Sequence, residues 1–298
     1  NTVRLEGSAA SLANGTLNGN LILAEGVSFT WSANDLKIAG GAVLKDRAEL
    51  NLAGHALDKP VILEGSATIG NGTIGVGGSV IVNGGAQAHF SAGTHISGGD
   101  VTAGKTAILA LNTDKEGLLQ ELSVSEGHIL GTGRAASLAD GLYIKSEADL
   151  LIESMTPTAK NEIHVGEHTI TLKDVTIKLS EDYFDRENPV DGVYYFKLQD
   201  LFHCDVEFNN VVFDASALKL PTGFDPAVNG IGMDFGTDVT IDPQTARNLT
   251  LLMGSDWSQT MSLVDGKPVF TALVPTPEPT TGTLSLLSLA ALAARRRK

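Results

Sequence analysis

From Leu5 to about Leu111 the chain alternates short apolar runs with breaks rich in Gly and Asn. Leu21-Ile22-Leu23, Val27-Ser28-Phe29-Thr30-Trp31, Ala48-Glu49-Leu50-Asn51-Leu52, Val61-Ile62-Leu63, Val80-Ile81-Val82 and Ala107-Ile108-Leu109-Ala110-Leu111 are the clearest of them. Each is Leu-rich or β-branched with turn residues on both sides, which predicts short strands. No window sustains the 3.6-residue apolar period of a helix. The runs also echo one another. Leu5-Glu6-Gly7-Ser8-Ala9 recurs as Leu63-Glu64-Gly65-Ser66-Ala67, and Asn14-Gly15-Thr16 recurs as Asn71-Gly72-Thr73, at nearly the same offset. That offset corresponds to about three coils of roughly 19 residues, the pattern expected of a parallel β-solenoid whose coils bury their inward residues on one another. A β-sandwich also repeats its strands at short, regular intervals. The shortness of the runs and their Gly and Asn content favour the solenoid.

Polarity rises around Asn112-Thr113-Asp114-Lys115-Glu116-Gly117, and the strands beyond are longer and alternate: Thr169–Leu172, Val175–Leu179, Val193–Leu198, Val206–Phe213 and Leu249–Met253. Alternation with one polar face predicts antiparallel sheets, half solvated. The expected fold class is therefore all-β: a parallel β-solenoid over residues 1–134, an antiparallel β cap or sandwich over 135–273, and a short hydrophobic helix in a tail over 274–298. A cap is physically required, because an open solenoid end presents unpaired strand edges to other chains.

After Leu273 the composition changes. Val274-Pro275-Thr276-Pro277-Glu278-Pro279-Thr280-Thr281 cannot pair in a central strand. A Leu/Ala-rich segment, Thr283 to Ala294, follows, and then Arg295-Arg296-Arg297-Lys298. Linker, apolar run and cations in that order form a membrane stop with its positive end held in the cytoplasm. The Pro277-Glu278-Pro279 triplet, the apolar segment and the terminal basic cluster together resemble the PEP-CTERM sorting signal of Gram-negative bacterial envelope proteins. The resemblance covers only the end of the chain, from about Pro275 to Lys298. It implies export, transient inner-membrane contact through residues 283–294, recognition by an exosortase-type membrane protease, removal of the tail, and display at or release from the cell surface. The first half is also similar in composition to the passenger segments of autotransporter-like surface proteins. A permanent anchor is the competing reading of the tail. As a helix, Thr280 to Ala294 would reach about 22 Å, against a hydrocarbon core of about 30 Å.

Charge and composition narrow the classes further. The chain carries Lys+Arg 21 against Asp+Glu 35, a formal charge of −14. All 35 acids but only 17 of the cations precede residue 281, leaving −18 without the tail. That balance excludes a nucleic-acid partner, since phosphates must be met by Lys and Arg. The single Cys204 excludes an intrachain disulfide framework and a multi-thiolate zinc site.

The motifs with chemical potential read as structure. His164-Val165-Gly166-Glu167-His168 fits H-x-x-E-H, but that zinc chemistry needs both imidazoles on one helical face, and Gly166 with strand-like alternation after it argues for a hairpin. Gly70-Asn71-Gly72-Thr73-Ile74-Gly75 fits G-x-G-x-x-G, but no helix follows to receive a phosphate, so these glycines are turns. Asp182, Asp185, Glu187, Asn188 and Asp191 crowd one loop and are a weak Ca²⁺ candidate outside the EF-hand register; Asp234, Asp238 and Asp242 form a looser set. Cys204, beside His203, lacks a positioned base and reads as packed. Residues 1–112 offer few cations, no acid cluster and only Phe29, Trp31 and Phe90 for sugar stacking, so a carbohydrate-active β-helix enzyme is disfavoured. The reading is a non-enzymatic surface or matrix protein, structural or adhesive, needing no cofactor, with extracellular polysaccharide as the partner the resemblance implies. The alternatives are such an enzyme or a Ca²⁺-dependent binding module bearing the same tail.

Overall fold

The computed structural model describes residues 2–272 apart from 8–11, 13, 33, 76–77, 92–93, 98–100, 104–107, 112–120, 126–127, 132–135, 139–141, 147–148, 238 and 254–258. The chain is nearly all β, and its strands are mostly parallel. Through most of its length it supplies one short strand to each of three parallel sheets and then returns to the first. The longest sheet has ten strands, running in order from Val3–Leu5, Leu21–Leu23 and Ala42–Leu44 to Thr169–Lys173 and Asp205–Asn209. The second has seven, from Ser28–Thr30 to Met155–Thr156, and the third six, from Ala56–Leu57 to Glu162–His164.

Register carries the packing. In the ten-stranded sheet Val3, Leu21, Ala42, Val61, Val80, Val101, Ile129, Ile152, Leu172 and Phe208 are successive partners in a single column. From Leu21 onward every member is buried. The first steps, from Leu21 to Ala42, to Val61 and to Val80, take up nearly equal lengths of chain. Leu5 meets Leu23, Leu23 meets Leu44 and Leu44 meets Leu63, so the echo of Leu5–Ala9 at Leu63–Ala67 spans three rounds of the chain. In the second sheet Phe29, Leu50, Ile69 and Phe90 form the equivalent buried column. Ten strands at about 4.8 Å spacing extend the longest sheet over roughly 43 Å.

The corners are set by left-handed residues. Ser154, Asp174 and Asn210 have φ of 56°, 53° and 56° and follow directly on strands of the ten-stranded sheet. They hold one another: the Ser154 N–H donates to the Lys173 carbonyl at 2.9 Å, the Asp174 N–H to the Asn209 carbonyl at 2.9 Å, and the Asn210 amide to Asp174 Oδ1. Asn and Asp tolerate this conformation better than other residues with a Cβ. The G-x-G-x-x-G run is another corner, with Gly70 ending one strand and Gly72 opening the next. A Cβ on Gly72 would lie 2.6 Å from the His55 carbonyl oxygen and overlap the Leu52 side chain.

Two expectations are corrected. The region 135–273 is not an antiparallel domain. Thr169–Lys173, Thr176–Lys178, Val193–Lys197, Asp205–Asn209 and Leu249–Met253 all pair in parallel, and the ten-stranded sheet continues past residue 134 from His128–Gly131 to Leu150–Glu153. Among the described residues the antiparallel strand pairs are Lys267–Ala272 with Gly230–Asp234 and with Gln259–Val264, beside isolated antiparallel bridges at Phe184–Phe196 and Val190–Val193. Alternation misled because each strand of this stack has one face inside and one in solvent, so parallel strands carry the pattern usually diagnostic of antiparallel ones. Val206–Phe213 is likewise two strands, Asp205–Asn209 and Val211–Ala215, broken at Asn210. The tail over 274–298, with its expected helix, lies outside the described residues. The one α-helix among the described residues is a single turn, Pro243–Ala246, capped by Asp242 Oδ1 accepting from the Gln244 N–H at 2.9 Å.

Asn210→Val puts a β-branched residue where φ is positive and removes the link to Asp174. It is expected to cost about 2 kcal/mol and to lower Tm by about 4–8 °C, with Asn210→Gly close to the parent. Equal melting of the two variants by calorimetry would show that the corner conformation is not limiting.

Candidate functional site

Beyond residue 190 the chain also builds a four-stranded sheet ordered Val193–Lys197, Gly230–Asp234, Lys267–Ala272, Gln259–Val264. Alternation divides its first strand. Phe196 is buried with its ring 4.7 Å from that of Phe184, and Tyr194 lies on the same side, so Tyr195 and Lys197 take the other. Tyr195 is the register partner of Gly232, and Lys197 of Asp234. A Cβ at Gly232 would come 3.1 Å from Tyr195 Cζ and closer still to two other ring carbons, so the absent side chain is what lets the ring lie across the neighbouring strand.

Asp234 is 4% exposed and fully engaged. Its Oδ1 accepts from Lys267 Nζ at 2.9 Å and from the Gly236 N–H at 3.2 Å, and its Oδ2 accepts from Lys197 Nζ at 3.1 Å. Burial pushes the Asp234 carboxyl up, but the Lys267 ammonium, the Gly236 N–H and Lys197 outweigh it and hold the group below the usual carboxylate range. Both ammoniums lie over the Tyr195 ring, at 5.7 Å for Lys197 and 5.5 Å for Lys267. Burial, followed by Asp234 and Asp265, pushes the Tyr195 phenol up against the opposing pull of Lys197. Beside the cluster an open cleft of about 470 Å³ is lined by Gln199, Asp234, Thr237, Thr240, Asp265 and Lys267, with Val239 and Ile241 as an apolar wall. The ionisable groups that line the cleft are one ammonium, Lys267, and two carboxylates, Asp234 and Asp265, while Lys197 holds Asp234 from outside the cleft lining.

The residues singled out in the sequence are dispersed. His164 ends Glu162–His164, Gly166 turns the chain at φ 62°, and His168 precedes Thr169–Lys173, so the H-x-x-E-H residues sit on a strand–turn–strand with no helix. His164 instead stacks on His203 of the next round, with ring centroids 4.0 Å apart, and lies 4.8 Å from Tyr143. In the acidic loop the carboxylates serve turns. Asp185 Oδ1 accepts from the Glu187 N–H, the Asn188 N–H and the Asn188 amide; burial pushes this carboxyl up, and those donors bring it net below its ordinary value. Ser180 Oγ donates to Asp182 Oδ2, and Asp191 occupies a left-handed turn position at φ 49°. Among the described residues no three His, Cys, Asp or Glu side chains converge to hold a metal, so Asp182, Asp185, Glu187 and Asp191 do not form one site. Asp238 lies outside the described residues, and Asp242 is a helix cap remote in role from Asp234. Cys204 is buried, and burial pushes its thiol up to about 11. The sorting triplet Pro277-Glu278-Pro279 and the cations Arg295, Arg296, Arg297 and Lys298 also fall outside the described residues.

Tyr195, Lys197 and Lys267 were missed by sequence reasoning. The available signal was two lysines within alternating strands of an acidic chain, one of them two positions from a tyrosine. No protein family, curated protein or solved structure matches the chain. Among the described residues no helix is long and apolar enough to cross a membrane.

Because the Asp234 carboxyl is depressed, its contribution to stability is present above the unfolded value of about 3.9 and is lost as pH falls through its lower folded value. Asp234→Asn is expected to lower stability at pH 7 by about 2 kcal/mol, less than a fully buried pair because both ammoniums still reach water. The gap from the parent should begin to narrow as pH falls below about 4; a gap constant from pH 7 to pH 3 in thermal melts would contradict the ion-pair account. Cys204 is expected to react with a thiol reagent at pH 8 roughly a hundredfold more slowly in the native protein than in urea. Equal rates would place the thiol in solvent.

Proposed function

We propose that the chain is an exported bacterial surface or extracellular-matrix protein with a structural or adhesive role. Its parallel rounds form a β-solenoid stalk, and its PEP-CTERM-like tail is read and removed by an exosortase-type membrane protease. The observation that carries the structural role is the unbroken buried column from Leu21 to Phe208, in which each round finds its apolar partner on the next. A protein of this build gains length by adding rounds, and each added round is stabilised by its neighbours alone. The routing rests on the order of elements at Pro277-Glu278-Pro279, 283–294 and Arg295–Lys298. The charge of −18 before residue 281 suits an exposed surface that resists clumping with other anionic surfaces.

The test is mass spectrometry of the C-terminus of the protein recovered from the surface fraction of its native host. The expected result is a mature chain ending near Pro277-Glu278-Pro279. Surface material that retains peptides from Leu284–Ala294 would make the tail a permanent anchor and overturn the sorting reading.

A further inference from the structure

We propose that Asn83 is a site of self-modification, at which the Gly84 amide nitrogen closes on the Asn83 side chain and converts it to a carboxylate. Asn-Gly recurs along the chain, at Asn14, Asn18, Asn71, Asn83 and Asn229, and the fold treats one of these pairs differently. Asn83 opens a corner that is closed by the Ala86 N–H donating to the Asn83 carbonyl at 3.0 Å, with Gly85 at φ 76°. That is the arrangement of a type II turn. Leu23, Leu44, Leu63 and Val82 are successive register partners, so Ala24, Lys45, Glu64 and Asn83 open equivalent corners in successive rounds. Of these four only Asn83 carries a side-chain amide. Asn83, Gly84 and Gly85 are all exposed. The Asn83 N–H is engaged by the Leu63 carbonyl at 2.9 Å, which anchors the corner from behind. Neither the Asn83 side chain nor the Gly84 N–H has a hydrogen-bond partner among the described residues.

The reaction needs a free amide nitrogen, room for the backbone to turn, and water. The Gly84 nitrogen gives its proton to solvent and attacks Asn83 Cγ. The N–Cγ bond forms, the Cγ–Nδ2 bond breaks, and ammonia leaves with a proton taken from water. A second water then opens the cyclic imide. Attack at Cγ gives aspartate, and attack at the α-carbonyl gives isoaspartate, in which the main chain runs through Cγ. Glycine after the asparagine leaves no Cβ in the path of the closing ring. The other four pairs are held. The Gly15 N–H donates to the Asp35 carbonyl at 3.2 Å, and the Gly230 N–H to the Gly192 carbonyl at 3.1 Å. Asn229 is pinned as well, its Oδ1 accepting from the Asp225 N–H at 2.9 Å and its Nδ2 donating to the Gly192 carbonyl at 3.2 Å. Gly72 is packed on Leu52 and the His55 carbonyl, and the Gly19–Asn20 peptide lies directly against Gly40 of the next round. Conversion at Asn83 adds one negative charge, and the isoaspartate form lengthens the main chain just ahead of Gln87–Phe90, whose Ala88 and Phe90 are buried against Ala67 and Ile69.

The experiment ages the full chain in mildly alkaline buffer, natively and in urea, and follows all five asparagines by peptide mass spectrometry. The readout is the small mass gain of NH2 replaced by OH, with aspartate and isoaspartate peptides separated by chromatography. In the native protein Asn83 is expected to convert first. The other four should lag at least about tenfold, the factor that about 1.4 kcal/mol of hydrogen bonding or packing to be broken imposes. In urea the five should converge, since all are then followed by a mobile glycine. Gly84 has a negative φ, so Gly84→Ala keeps the corner, as thermal melts will check, and should slow Asn83 several-fold without changing the other four. Native conversion at similar rates at all five sites, another asparagine leading, or an Asn83 that converts in urea and not in the native protein would each overturn the proposal. None of these outcomes bears on the mass of the mature C-terminus, so this inference and the sorting reading fail separately.

Discussion

Everything in this structure hangs on lateral register between parallel strands. Most strands of the three long sheets are very short, too short to hold a conformation alone. What fixes them is that the same column position recurs as a buried aliphatic round after round, from Leu21 through Val61 and Val101 to Leu172. A slip of one residue in any strand would turn its buried set outward and bring polar residues into the column. The corners therefore have to deliver each strand at the right phase. The left-handed residues Ser154, Asp174 and Asn210 do this at one corner, linked to one another by backbone and side-chain hydrogen bonds.

Toward the C-terminal side the same constraint is met differently. The rounds lengthen, since the chain from Ile170 to its partner Val206 is nearly twice as long as that from Val61 to Val80. The added chain contributes Val193–Lys197 to the four-stranded sheet, and the interior is filled by Phe202, Phe208, Phe213, Phe235 and Phe270, whose ring centroids lie about 6 Å apart in tilted and edge-on pairs. Val193–Lys197 is an edge strand of that sheet, and Lys197 projects from it. A lysine on an edge discourages pairing with another chain. Here it is also held by Asp234, so one side chain protects an edge and neutralises a buried carboxylate.

The sequence made the first half of the fold legible because its rounds are nearly uniform. The repeat of Leu5–Ala9 at Leu63–Ala67 is the register read off directly. It concealed the second half for a physical reason. An alternating strand reports that one face is wet and the other dry, and says nothing of which way its neighbour runs. Asn210 was the local clue that Val206–Phe213 is not one strand, because Asn-Asn before Val211 is a turn signal inside an otherwise apolar run. The site was less legible still. Lys197 and Lys267 are distant in the chain and meet only because Gly230–Asp234 lies between their strands, and the Gly232 that lets Tyr195 lie flat has no signature beyond being glycine. The histidines show the converse. His164 and His168 drew notice through a motif they do not serve, while the ring that His164 stacks on is that of His203, brought alongside by the stacking of rounds.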